Sequence, residues 1–193
     1  MHIGIIGAGI TGVTTAYYLS KNGINIDLIE SRRYPAMATS YANGGQLSAS
    51  NSEAWNSWSS VYTGIKGLFK KDSSIKINPK LSIDKYHWLL SFIRNIPLNE
   101  KITENICKMA IKSINLYSDI AENEKIKFDL LNKGILHFYY TEEETRKAIL
   151  TNKIYKRAGL IRERLTHEEL YNVEPALEKK KFDSIFYTKT DKT

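Results

Sequence analysis

Met1-His-Ile-Gly-Ile-Ile-Gly-Ala-Gly-Ile-Thr-Gly12, read on to Glu30, is the stretch that decides the fold. His2 to Ile6 is an apolar run, followed by Gly7-Ala8-Gly9-Ile10-Thr11-Gly12. Val13, Ala16, Tyr17 and Leu19 then recur at helical spacing until Asn22-Gly23 stops the helix. Ile24 to Ile29 is a second β-rich run, and Glu30 stands where it ends. Strand, glycine turn, helix, strand and acid in this order form the dinucleotide-binding fingerprint in the context it requires.

Each position has a physical task. Gly7 permits the tight turn out of the strand, where a side chain would force an unfavourable backbone angle. Gly9 has no Cβ, so a pyrophosphate can lie against the backbone, and Gly12 lets the helix pack closely on the sheet. The helix N-terminus offers unpaired N–H groups and partial positive charge to phosphates. Ile6, Gly7, Ala8, Gly9, Ile10, Thr11 and Gly12 are therefore the expected phosphate-side contacts. Glu30 can accept hydrogen bonds from both ribose hydroxyls of an adenosine. Its charge also disfavours a 2′-phosphate, an effect that Arg32 and Arg33 soften without reversing. The bland alternative is a glycine-rich turn with no ligand.

The chain has 193 residues and a formal net charge of +7, which suits a soluble globular domain or a domain and part of another. Lys and Arg are spread along it, with short clusters at Lys70-Lys71 and Lys179-Lys180-Lys181. A solvated basic surface accounts for these better than nucleic-acid binding, for no aromatic spacing of an RNA-binding motif accompanies them. Cys107 is the sole cysteine, which excludes an internal disulfide and points to a cytosolic protein. Its neighbours Ile106, Met109, Ala110 and Ile111 suggest a buried helix face. His2, His87, His137 and His167 are too scattered for a metal-ligand pattern, so no metal is expected. No signal peptide and no membrane-spanning run is expected either.

After Glu30 the strand–helix alternation stops, unlike in a nicotinamide dehydrogenase of the usual kind. Ser31 to Ser52 is small and polar; Gly44-Gly45 can bring backbone N–H groups close to a ligand, and Thr39, Ser40 and Asn43 add hydroxyl and amide groups. A second cofactor-contacting loop is the favoured reading, a plain surface loop the other. Across 53–98, Trp55, Trp58, Tyr62, Phe69, Tyr86, Trp88 and Phe92 are expected to be core aromatics, with a membrane-touching amphipathic element as the alternative. Asn99 to Asn123 reads as a long helix buried through Ile102, Ile106, Met109, Ala110, Ile114, Tyr117 and Ala121. Phe128 to Leu131 and Gly134 to Tyr140 read as a hairpin around Asn132-Lys133-Gly134. Thr141-Glu142-Glu143-Glu144 is a capping box for a helix to Arg157, ended by Ala158-Gly159. Leu160 to Leu165 is a short strand, Thr166-His167-Glu168-Glu169 a second capping box, and Asp183 to Thr188 a last strand.

The glycine fingerprint, Glu30 with a following arginine, and Thr39-Ser40-x-Ala42-Asn43-x-Gly45-Gln46 resemble the D-amino acid oxidase superfamily of flavoproteins. The nearest branch is the FAD-dependent D-amino acid dehydrogenase (small subunit), whose substrate-domain entry is similar to Gly134–Glu144 and Val173-Glu174-Pro175-Ala176-Leu177. The resemblance implies an α/β protein. It would have an incomplete Rossmann-like FAD-binding domain and part of an α+β substrate domain: residues 1–52 as βαβ unit and cofactor loop, 53–126 as mostly helical insertion, 127–193 as substrate domain. It implies FAD as cofactor, with Glu30 and Arg32 on the adenosine side and Ser40, Asn43 and Gly45 nearer the flavin.

The implied reaction passes a hydride from Cα of a D-amino acid to the flavin, and water then gives a 2-oxo acid and ammonia. A membrane quinone would be the acceptor, from a cytoplasmic or peripheral inner-face location. Family members continue past Thr193, so a separately encoded C-terminal portion is an expected partner, and no catalytic acid or base is assignable. The rivals are a non-catalytic remnant that at most binds nucleotide, an NAD-dependent dehydrogenase, and a basic interaction module.

Overall fold

The computed structural model describes residues 1–68, 80, 82–177 and 180–193. Its contacts divide the chain into two compact units, Met1–Gly45 and Gln46–Thr193. Phe69, Lys70-Lys71 and Lys179 lie outside the described residues.

The first unit is strand β1 (His2–Ile6), helix α1 (Ile10–Lys21) and strand β2 (Asn25–Ile29). The strands run parallel, Ile3 opposite Ile26 and Ile5 opposite Leu28. Parallel neighbours cannot be joined by a tight turn, and α1 is the crossover that joins them. The helix stops at Asn22, whose N–H bonds to Leu19 O at 3.0 Å, and Gly23 turns the chain at φ +74°. Two strands cover little of their own apolar surface. Ala8 is buried, while Ile6, Leu28 and Ile29 stay exposed.

The second unit carries helices α2 (Trp58–Leu68), α3 (Ile83–Arg94) and α4 (Asn99–Asn123), then strand β3 (Ile135–Tyr139) and helix α5 (Glu142–Ala158). Strand β4 (Glu163–Leu165), helix α6 (His167–Val173) and strand β5 (Ser184–Thr188) complete it. β5 lies between β3 and β4, antiparallel to both. α5 starts on the full Thr141/Glu144 capping box and ends on Gly159 at φ +92°; α6 starts on the Thr166/Glu169 box. Both caps follow from local chemistry, in which a threonine oxygen and a glutamate three residues on satisfy reciprocal orphan donors.

The sheet divides its side chains by the period of two. Leu136 and Phe138 of β3 join Leu165, Leu170, Phe182 and Ile185 in one core cluster. The other faces of β3 and β5 carry Ile135, His137 and Tyr139, and Phe186, with His137 paired opposite Phe186. A second cluster forms where α4 meets α5: Cys107 and Ile114 pack with Tyr155, Ala158, Ala49 and Leu160. Burial holds the Cys107 thiol pKa above its ordinary value.

Four sequence expectations change. Phe128–Leu131 is not a strand: β3 pairs with distant β5, which buries Ile135 and Phe186, and Leu131 instead exchanges backbone bonds with Thr193. The buried stripe of α4 is rotated onto Thr103, Cys107 and Ile114, leaving Ile106 and Met109 exposed, because its partner is α5. Thr103 is buried because its hydroxyl oxygen accepts from Ala54 N at 3.0 Å. Leu160–Leu165 is strand only from Glu163, since Leu160 is taken into the α4–α5 core. Finally, Trp55, Trp58, Tyr62, Tyr86 and Trp88 are exposed rather than core residues, for no element among the described residues covers them.

Candidate functional site

The glycine turn between β1 and α1 has the geometry of a phosphate cradle. Gly7 lies at φ +97°, the left-handed region that a side chain resists. A Cβ on Gly12 would stand 1.9 Å from Gly7 O, so α1 can lie this close to the turn only with glycine there. Gly9 differs from both. Its backbone is ordinary at φ −74° and ψ −177°, and a Cβ there would meet nothing nearer than Ser40 Oγ at 3.4 Å. The protein's own packing therefore tolerates a side chain at Gly9, and what the glycine keeps clear is the space above the helix N-terminus. Ile6 and Ile10 flank that space exposed, and Thr11 lies in the first turn of α1.

Glu30 closes the unit from the end of β2. Its Oε2 accepts from Ala8 N at 2.9 Å, and its Oε1 from Arg32 N at 3.0 Å and Ser31 Oγ at 3.2 Å. These donors, Ala8 N–H foremost, hold its carboxyl pKa below the ordinary carboxylate range. A carboxylate has room for about four hydrogen bonds. Three are made within the protein, which leaves capacity for one ribose hydroxyl where the sequence suggested two.

The loop after Glu30 folds back on the turn. Ala36 N donates to Ala8 O at 2.9 Å, and Ile10 N donates to Ser40 Oγ at 3.1 Å, so Ser40 satisfies an orphan amide of α1. Arg32 Nη1 donates to Met37 O at 2.7 Å and braces the loop. Asn43 and Gly45 form a turn of their own, Gly45 N donating to Asn43 Oδ1 at 2.8 Å with Gly45 at φ +63°. Among the described residues no hydrogen bond joins that turn to the glycine cradle.

The second unit contains a separate polar site that sequence reasoning missed. Asp191 is fully buried and accepts from Ser48 Oγ (2.7 Å), Ala49 N (3.0 Å), Ser50 N (3.2 Å) and Ser50 Oγ (2.5 Å). Ser50 Oγ also lies 2.7 Å from His137 Nε2. With the serine proton given to the carboxylate, His137 must donate from Nε2–H, which fixes its tautomer. Burial, reinforced by the Arg162 charge, pushes the His137 pKa down to about 4, so the ring is neutral near pH 7. The order Asp–Ser–His gives the carboxylate to serine rather than to histidine, so it does not activate the hydroxyl as a Ser–His–Asp triad would. His137, Arg162, Ser50, Tyr139 and Tyr155 line an open cavity of about 620 Å³.

The FAD dependent oxidoreductase family model matches residues 2–193 of the chain. The chain belongs to that family. D-amino acid dehydrogenase 3 of Mesorhizobium japonicum is 44% identical over 98% of this chain and 46% of its own length. D-amino acid dehydrogenase 2 of the same organism is 30% identical over all of this chain and 47% of its own. The D-amino acid dehydrogenase of Dechloromonas aromatica is 29% identical over 92% and 43%. The chain thus spans about half the length of the curated relatives it matches. In structure it is similar to L-proline dehydrogenase from P. horikoshii, with a TM-score of 0.59, 19% identity, and coverage of 99% of this chain and 37% of that one. At that identity the likeness concerns the fold alone.

Family membership agrees with the two folds seen, a Rossmann-like βαβ unit and an α+β unit. The residues present also fit the family's cofactor: Gly9 holds open a space that a Cβ would partly fill. Among the described residues no helix is long and apolar enough to cross a membrane. The missed residues had weak signals. The alternation of His137 and Tyr139 with Leu136 and Phe138 marks two faces of a strand, and Arg162 is a cation inside the apolar run from Leu160 to Leu165. Asp191 gave no signal at all.

Proposed function

We propose that this chain is the nucleotide-binding part of an FAD-dependent oxidoreductase that deaminates D-amino acids to 2-oxo acids and ammonia. The observation that carries it is Gly9, a glycine that neither backbone angle nor neighbouring protein atoms require. A pyrophosphate is the group whose approach to backbone amides such a gap serves. Gly7, Ala8, Gly9, Thr11 and Gly12 would present the turn and first helical amides to it, with Ile6 and Ile10 as apolar flanks. Glu30 would hold one adenosine ribose hydroxyl, its carboxylate fixed by Ala8 N–H, and Arg32 would brace the loop. Ser40 would stand beside the phosphates through its bond with Ile10 N–H, while Asn43 and Gly45 would contact the cofactor further along.

When bound, the flavin supplies the two-electron oxidation of the Cα–N bond, and water completes the deamination. The similarity to D-amino acid dehydrogenases supports the substrate class. A membrane quinone is the proposed acceptor, at the cytoplasmic face of the membrane. A second reading, nucleotide binding without turnover, is favoured by the two-stranded sheet of the first unit. The test is anaerobic mixing of FAD-reconstituted protein with D-alanine. Loss of the yellow flavin band with D-alanine but not L-alanine is expected. A band retained by the protein and unchanged by both leaves the second reading.

A further inference from the structure

Arg162 is 6% exposed, yet among the described residues it pairs with no carboxylate. Its guanidinium donates to the Tyr139 hydroxyl, and its Nε has no hydrogen-bond partner. Three rings surround it, with centroids at 4.8 Å (Phe186), 5.7 Å (Tyr139) and 5.8 Å (Tyr155). Such rings partly compensate a buried cation but provide no acceptor for its N–H groups. A buried charge without a counter-charge is a costly arrangement, and in a wall of low polarity its field is strong.

Among the described residues no nearby acid pairs directly with the guanidinium. Asp191 turns its oxygens to four neutral donors from Ser48, Ala49 and Ser50. Glu144 lines the same cavity but is exposed to water, its Oε2 held by Tyr140 N and Thr141 N as the cap of α5. Glu53 stands at the rim, exposed to water. The neutral His137 adds no negative charge, and Lys147 adds a further cation, itself paired with Glu143 at 2.7 Å.

We propose that the cavity bounded by Ser50, His137, Tyr139, Tyr155 and Arg162 is an anion site that takes a small monocarboxylate, with Arg162 as its counter-charge. A planar guanidinium fork matches a carboxylate, and the hydroxyls of Tyr139 and Tyr155 offer further donors. The site lies within the second unit, goes beyond the flavin reading and needs no flavin.

The test therefore uses the full chain without FAD. Acetate is titrated against acetamide, its neutral counterpart, and against sodium chloride at matched ionic strength. Thermal midpoint and the His137 ring resonances are read together. Acetate alone is expected to raise the midpoint and to shift His137 saturably, with binding weakened about tenfold or more in Arg162→Met. Equal responses to acetate and to either control overturn the proposal, as does an unchanged response in Arg162→Met. Should that variant not fold, the His137 resonances of the unaltered protein decide: a saturable shift specific to acetate supports the site, and its absence removes it. A failure here leaves the FAD reading standing, because flavin retention is measured separately.

Discussion

Glu30 Oε2 sits 2.9 Å from Ala8 N, so the acid that ends β2 is tied to the glycine turn that ends β1. One carboxylate thereby sets the turn, and in the proposed reading it also holds a ribose hydroxyl. In Glu30→Gln the amide oxygen can keep Ala8 N–H, but its NH₂ meets the Arg32 N–H, donor against donor. We expect FAD affinity to fall about tenfold, the scale of losing a charge-assisted hydrogen bond, read by equilibrium dialysis. The folded-state pKa of Glu30 is lowered, so its contribution to stability is present above the usual carboxyl range and fades as pH falls through the folded value.

Gly12 and Gly9 should separate stability from binding. Gly12→Ala places a Cβ 1.9 Å from Gly7 O and should cost about 3 kcal/mol or more in urea unfolding. Gly9→Ala meets only Ser40 Oγ at 3.4 Å and should change stability by about 1 kcal/mol at most, as a cap substitution does. Its effect should fall on FAD retention instead. Equal destabilisation by the two would remove the distinction between a packing glycine and a ligand glycine.

His137 gives the second unit a pH dependence of definite sign. Its folded pKa is about 4 against an ordinary 6.5, so the unfolded chain binds more protons between these values. Stability should be fully present above pH 6.5 and should decline as pH falls toward about 4. His137→Gln, which keeps a donor for Ser50 but cannot titrate, should flatten that part of the profile in denaturant melts. A profile equally steep in the variant would assign the effect elsewhere.

The Thr141 cap is a local test of α5. Its hydroxyl oxygen accepts from Glu144 N at 3.2 Å, while Glu144 returns to Thr141 N. Thr141→Ala should cost about 1 kcal/mol and Thr141→Ser close to nothing, by thermal or urea unfolding.

What was legible in the sequence is what local chemistry dictates. The Gly7–Gly12 spacing, the two capping boxes and the Gly159 stop specify elements through neighbours within a few residues, and the structure has them all. The bounds of α4 followed for the same reason. Its buried face did not, because Thr103 and Cys107 are buried by what α5 and the Ala54 segment present, not by their own hydrophobicity. The same cause removed the 128–131 strand: β3 takes a partner nearly fifty positions further along the chain. Arg162 and Asp191 acquire meaning only through such long-range pairing. At Glu30 the sequence located the acid but could not show how much of its accepting capacity Ala8, Ser31 and Arg32 already use.

The measurement that bears most directly on the central claim is the visible spectrum of the 193-residue protein after incubation with FAD and removal of excess, beside Gly9→Val. A retained flavin band in the first, lost in a Gly9→Val variant that still unfolds cooperatively, is the predicted result. A colourless unaltered protein, or a variant that keeps the band, would contradict the assignment of the Gly7–Gly12 turn as this chain's FAD site.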